Sequence, residues 1–231
     1  MVRFLLICVC VLFFPVVLIV AFLPRVFRFK NRYIFFFVDL FYKMAVHCLF
    51  VPITFIKGDY DFSQPAIIIA NHQSSIDIPL VGVLLNGSRH FWIARQELMD
   101  SFFLRYALPI FAQVIDVLNP RASAFSLRTV VRLAQKTDAH VVLFPEGSRS
   151  LDGQLQPLFD GYVWLAKQLN RPVVPIFIHD AYRVYPRGSF FVNHVSVHVV
   201  VGQPFFYNEK DQGAQLKSDI QAWLLKQQSN W

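Results

Sequence analysis

The chain has 231 residues, 55% of them hydrophobic, with 25 phenylalanines and a formal charge of +7. That apolar excess is larger than a soluble domain of this size needs, and it excludes a disordered or highly charged tail-like protein. The basic balance suits an anionic partner, and in so hydrophobic a setting a lipid surface fits better than nucleic acid.

The excess is concentrated at the start. Phe4 to Leu23 carries no charge, and twenty helical residues cover roughly 30 Å of hydrocarbon, so a membrane-spanning helix is expected. Pro15 near its middle permits a kink and a re-entrant path. Arg25, Arg28, Lys30 and Arg32 follow as a basic cluster that should stay cytoplasmic, on the inner membrane if the source is bacterial, and the rest of the chain with it. Tyr33 to Ile56 is largely apolar but carries Asp39, Lys43 and His47 at four-residue steps along one helical stripe. Such a stripe is costly in lipid, which predicts an interfacial helix or one folded back under the following domain. Cys8, Cys10 and Cys48 show neither metal-ligand spacing nor a disulfide framework. Residues 1–56 thus read as membrane-anchoring helices and residues 57–231 as a catalytic domain.

The remainder has the pattern of one α/β domain. Candidate strands are Val51–Ile56, Ala66–Ala70, Phe91–Ala94, Gln113–Val117, His140–Phe144, Val173–Ile178 and Val195–Val201. Candidate helices are Ile76–Leu85, Glu97–Ala107, Ala122–Lys136, Tyr162–Leu169 and Asp211–Gln228. Their alternation predicts a mostly parallel sheet flanked by helices.

Two short blocks carry the chemistry. Asn71-His72-Gln73-Ser74-Ser75-Ile76-Asp77 follows the apolar run 66–70, and Phe144-Pro145-Glu146-Gly147-Ser148-Arg149-Ser150 follows the run 141–143. Loops at the ends of buried strands are where active sites gather in α/β sheets. His72 supplies an imidazole, the side chain most often used as a general base, and Asp77 can fix its tautomer. Positions five apart in a helix diverge by about 140°, so His72 must precede the helix if the two are to meet. Ser74 and Ser75 are expected to cap that helix, since no strained Gly-x-Ser-x-Gly elbow is present to make either a nucleophile. The second block offers backbone donors, a carboxylate and the Arg149 guanidinium, groups suited to an anion or a developing oxyanion.

In this order and context the blocks resemble those of the 1-acylglycerol-3-phosphate acyltransferase family, which carries Asn-His-x-x-x-x-Asp and Phe-Pro-Glu-Gly-(Ser/Thr)-Arg-Ser. Val173-Val174-Pro175-Ile176-Phe177-Ile178 resembles the family's later apolar block, so the likeness extends from about Gly58 to Gly202. The resemblance implies transfer of a fatty acyl group from acyl-CoA or acyl carrier protein to a lysolipid hydroxyl, with the donor as a substrate and neither cofactor nor metal. It implies His72 and Asp77 as catalytic residues. Asn71, Glu146, Gly147, Ser148, Arg149 and Ser150 would be substrate-binding, with phosphatidic acid the product from 1-acylglycerol-3-phosphate. Membrane lipids and the acyl donor are the implied partners. Phe102, Phe103, Phe190, Phe191, Phe205 and Phe206 are candidates for an acyl-chain path, with ordinary core packing as the alternative. Two positions depart from the family pattern. Leu118 stands where the family's second block ends in arginine, and Phe159-Asp160 stand where a basic pair precedes a glycine. The departures keep open another lysolipid acceptor, such as a lysophospholipid or amino-acid lipid, and beyond the enzyme readings a non-catalytic lipid-binding scaffold.

Overall fold

A computed structural model describes the chain except for residues 1, 57, 59, 97, 99–109, 117, 118, 190 and 231. The helix expected over Glu97–Ala107 lies, apart from Leu98, outside the described residues, as do Leu118, Phe102, Phe103 and Phe190.

Helix α1 (Val2–Ala21) runs through Pro15 as one element. Its stretch Phe4–Ala21 is long and apolar enough to cross a membrane and is only 17% buried. After Pro24 comes α2 (Arg25–Lys30), and Asn31 then caps α3 (Arg32–His47) by accepting a hydrogen bond from the Tyr33 amide at 2.9 Å. Two members of the basic cluster turn inward. Arg25 donates to the Ala112 carbonyl at 3.2 Å and Arg28 to the Ile110 carbonyl at 3.1 Å. On α3 the residues Ile34, Phe35, Tyr42 and Ala45 are buried, while Tyr33, Phe36 and Phe37 stay exposed. The helix folds back onto the domain, one of the two arrangements expected from its polar stripe. Lys43 pairs with Asp39 at 2.6 Å and also donates to Asn86 at 3.1 Å.

Seven strands form one mixed sheet: β1 (Ile53–Ile56), β2 (Ile67–Ala70), β3 (His90–Arg95), β4 (Ala112–Ile115), β5 (His140–Leu143), β6 (Val173–His179) and β7 (Val197–Val201). Their spatial order is β1-β7-β6-β2-β5-β3-β4. Every pairing is parallel except β6 with β7. β1 is an edge strand of this sheet, so the last residues of the segment expected to be anchoring helices belong to the sheet instead. Four residues, three of them apolar, are enough to pair at an edge when a partner such as β7 is at hand.

β2 is central and buried along its whole length. Ile67 and Ile69 point into one hydrophobic layer, and Ile68 and Ala70 into the other, as the two-residue period of a strand requires. Full burial of each isoleucine contributes roughly 1.5–3 kcal/mol, which fixes this strand as the reference for the site. Among the described residues the helices after β2 are α4 (Asp77–Leu84), α5 (Pro120–Thr137), α6 (Gly161–Leu169), α7 (Ala181–Val184) and, following the last strand, α8 (Ala214–Ser229). α5 begins two residues before the apolar pattern suggests. Asn119 accepts from the Arg121 and Ala122 amides, with Pro120 in the first turn.

Candidate active site

β2 and β5 are parallel neighbours with Ile69 opposite Leu143, so both chemical blocks leave the same end of the sheet side by side. Asn71 extends β2 sideways. Its amide donates to the Ile178 carbonyl at 2.9 Å and accepts from the Ile178 amide at 2.7 Å, tying the loop to β6. The backbone of His72 is held by the second block from both sides. Its N–H donates to Glu146 Oε1 at 2.6 Å, and its carbonyl accepts from the Ser150 amide at 2.8 Å. Glu146 Oε2 accepts from the Gln156 amide at 2.7 Å. Burial pushes the Glu146 carboxyl up to about 7, against the pull of these two N–H donors.

The imidazole is equally constrained. His72 Nδ1 lies 2.7 Å from Asp77 Oδ2, and Asp77 has no exposed surface. The same oxygen accepts from the Gln73 amide at 2.6 Å and the Ser74 amide at 2.7 Å. With α4 starting at Asp77, the carboxylate sits in the first turn of the helix, where its charge is favoured. A proton on Nδ1 shared with this acceptor-only group leaves Nε2 as the basic nitrogen. One face of the ring stacks on Phe144, with centroids 3.9 Å apart and planes 8° from parallel. Trp92 stacks beyond Phe144 at 5.4 Å.

Trp92 in turn leads to the N-terminal helices. Its indole N–H donates to Tyr42 Oη at 3.1 Å, and the Tyr42 hydroxyl is 3.1 Å from His90 Nε2. His90 Nδ1 donates to the Ser88 carbonyl at 2.8 Å, so Nε2 accepts the tyrosine proton. Burial holds the His90 imidazole down at about 4 and therefore neutral. Tyr42 also fills the notch left by Gly82 on α4, where a Cβ would lie 2.2 Å from the tyrosine ring.

His72 opens onto a cavity of about 560 Å³. Its polar end is lined by His72, Gly147, Ser148, Arg149, Arg95 and Arg187, and its long wall by side chains of α1 and α3 that include Phe13, Val17, Val20, Ile34, Val38 and Phe41. Gly147 adopts φ +69°, and a Cβ there would meet the Phe159 ring at 2.9 Å. Arg95 braces the same residue by donating to the Gly147 carbonyl at 3.0 Å. Arg149 donates to Ser75 Oγ at 2.8 Å.

Four expected site residues, His72, Gly147, Ser148 and Arg149, therefore share one cavity, with Asp77 directly behind the imidazole. Asn71, Glu146 and Ser150 are placed otherwise than expected for substrate contacts. They are 2%, 4% and 3% exposed, and their side chains are engaged with Ile178, with the His72 and Gln156 amides, and with Asp152. They build the loops that carry His72. The two serines do not cap α4 either, because the Asp77 carboxylate takes the loop amides. Ser74 Oγ instead donates to the Tyr185 carbonyl, and Ser75 accepts from Arg149. Asp160, at a position where the family favours a cation, pairs with Lys217 at 2.8 Å. Phe144, Trp92, Arg95 and Arg187 were not singled out from sequence. Phe144 is the first residue of the second block, and that membership is the one signal the sequence offers for its role. Among the described residues no three His, Cys, Asp or Glu side chains converge as metal ligands.

Known proteins of similar sequence and fold bear on the family of this chain. The chain is 32% identical over 150 residues to the 1-acyl-sn-glycerol-3-phosphate acyltransferase of Limnanthes douglasii, covering 64% of this chain and 53% of that protein. It is 32% identical over 164 residues to the Cocos nucifera enzyme of the same description, covering 70% and 52%. Against the alpha form of Homo sapiens the identity is 32% over 124 residues, covering 52% and 44%. The chain spans about half the length of the curated relatives it matches. Its fold matches that of the 1-acyl-sn-glycerophosphate acyltransferase PlsC from Thermotoga maritima, with a TM-score of 0.71 at 22% identity over 100% of this chain and 96% of that one. With the Acyltransferase family model matching residues 32–179, across the strands and loops that assemble His72, Asp77 and the Glu146–Arg149 turn, the chain belongs to the Acyltransferase family.

Proposed function

We propose that this protein is a membrane-bound O-acyltransferase that moves a fatty acyl group from acyl-CoA or acyl carrier protein to the hydroxyl of a lysolipid, with 1-acylglycerol-3-phosphate as acceptor and phosphatidic acid as product. The single observation that carries the reading is the imidazole of His72. It is clamped through Nδ1 by Asp77, stacked on Phe144, and faces a cavity whose far wall is apolar. A free alcohol is a weak nucleophile at neutral pH and needs such a base. His72 Nε2 takes the hydroxyl proton as the alcohol oxygen attacks the thioester carbonyl. Collapse of the tetrahedral intermediate forms the ester and breaks the carbon–sulfur bond, and the imidazolium returns its proton to the departing thiolate. Asp77 stabilises the imidazolium between those steps. Arg149, with Arg95 and Arg187 along the same rim, faces the acceptor's phosphate, and the α1–α3 wall accommodates acyl chain. The helical segment up to His47 anchors the catalytic part at the cytoplasmic face, consistent with the exposed apolar surface of α1.

The test is a panel of lysolipid acceptors offered to purified full-length protein with labelled acyl-CoA or acyl carrier protein. Transfer to 1-acylglycerol-3-phosphate that disappears in His72→Ala supports the reading. Preference for an acceptor without a phosphomonoester would shift the assignment to another lysolipid, as Asp160 in a usually basic position allows. Absence of transfer to every acceptor would leave a lipid-binding scaffold.

A further inference from the structure

The outer face of α5 has no task in the mechanism above, and its composition is one-sided. Arg121, Phe125, Arg128, Arg132 and Lys136 are all exposed, and at 100° per residue they fall within about 80° of arc. Over that span the helix presents four cations across about 22 Å and contains no acidic residue. None of the four pairs with a described acidic side chain. Between them Phe125 is 69% exposed, an unusual place for a phenylalanine on a helix whose opposite side already supplies Val130, Leu133 and Ala134 to the core.

Position decides what this face meets. α5 packs directly on α2, and α2 starts four residues after α1 ends. Packed helices lie roughly 8–10 Å apart between axes, so α5 neighbours the segment that directly follows α1. Phe22 and Phe27, 89% and 51% exposed, add apolar surface on the connection and on α2. We infer that the outer face of α5 is a second, charge-dependent membrane contact that binds a bilayer surface bearing acidic phospholipids. Its cations lie among headgroup phosphates and Phe125 reaches the acyl boundary, as in a basic amphipathic helix in the plane of an interface. The inference rests on α1 being the membrane anchor.

The experiment uses full-length protein and two kinds of vesicle, phosphatidylcholine alone and phosphatidylcholine with about a third replaced by phosphatidylglycerol, at low and high salt. Wild type is expected to partition more strongly into the anionic vesicles, and the difference should shrink in high salt. The triple variant Arg128→Gln, Arg132→Gln, Lys136→Gln should lose about tenfold or more of its anionic partitioning while keeping its binding to phosphatidylcholine. The corresponding Arg128→Lys, Arg132→Lys variant keeps the charge and should behave as wild type, which separates electrostatics from misfolding. Equal partitioning of the triple variant and wild type into anionic vesicles overturns the inference. So does a triple variant that binds vesicles normally but is slowed with acyl carrier protein alone, since the face would then dock an acidic protein. If wild type binds neither vesicle, the anchoring role of α1 fails, a result distinct from loss of the anionic increment alone.

Discussion

The two sides of the cavity are built on opposite principles. On the sheet side most polar side chains are committed to hydrogen bonds, with Asp77 Oδ1 and Gln73 Oε1 the buried exceptions among the described residues near His72. Glu146 holds two amides, Asp77 holds two amides and an imidazole, and Asn71 holds both backbone groups of Ile178. On the helix side the wall is made of side chains such as Phe13, Val17 and Val20, which contribute shape and little else. A reacting group has to be held to fractions of an ångström, whereas an acyl chain needs only a dry surface of the right length. The contrast predicts that substitutions on the first side change rate or stability steeply, and those on the second change preference.

The largest effects should come from the imidazole and its carboxylate. His72→Ala is expected to lower transfer by about 10²–10⁴-fold, and Asp77→Asn by up to about 10⁴-fold through the wrong tautomer, both measured as kcat with saturating acceptor. Phe144→Leu preserves apolar volume but removes the flat surface under the ring. A base that can tilt should cost about 10- to 100-fold in kcat with little change in KM.

Glu146 gives the polar side a pH signature. A carboxyl raised in the folded state to about 7 from an ordinary 4.5 stabilises the fold fully below pH 4.5 and loses that contribution as pH climbs through 7. The difference amounts to about 3 kcal/mol. His90 and His140, both pushed down to about 4 by burial, work in the opposite direction and destabilise as pH falls from 6.5 toward 4. Subtracting the unfolding free energies of Glu146→Gln from those of wild type between pH 4.5 and 7.5 cancels the histidines and isolates the carboxylate. A flat difference would mean that Glu146 titrates alike in the folded and the unfolded chain.

Smaller effects sharpen the contrast. Gly147→Ala forces a side chain into a left-handed conformation against Phe159 and should destabilise by about 1–3 kcal/mol, whereas Gly161→Ala, with nothing within 4 Å of its Cβ, should not. Thermal unfolding of the pair is the check. Val17→Phe, across the cavity, should leave short-chain transfer unchanged and disfavour long chains by about tenfold in kcat/KM.

Much of the sheet was legible because buried strands betray themselves as short apolar runs. All seven observed strands overlap expected ones, and His72 lies before the helix, as the five-residue spacing to Asp77 demands. The antiparallel placement of β7 was not legible. A strand following β6 and a four-residue helix reads the same in sequence whichever way it pairs. The inward placement of Asn71, Glu146 and Ser150 was not legible for a related reason. Polar residues in a chemical block look like ligands in one dimension, and only the sheet reveals that β6, the His72 amide and Asp152 are already there to receive them. The stack from Tyr42 through Trp92 and Phe144 to His72 joins residues up to about a hundred positions apart, a distance at which periodicity carries no information.

The inward turn of Arg25 and Arg28 bears on how this protein is handled. β4 ends the sheet, and these guanidiniums occupy the carbonyl of its first residue, Ala112, and that of Ile110 just before it. An uncovered edge strand is a template for another chain. Trimming the greasy amino terminus through α2 to obtain a detergent-free fragment would strip that cover, and the shortened protein should self-associate through β4 rather than become better behaved. Keeping residues 25–30 while removing only α1 is the truncation that preserves the guard.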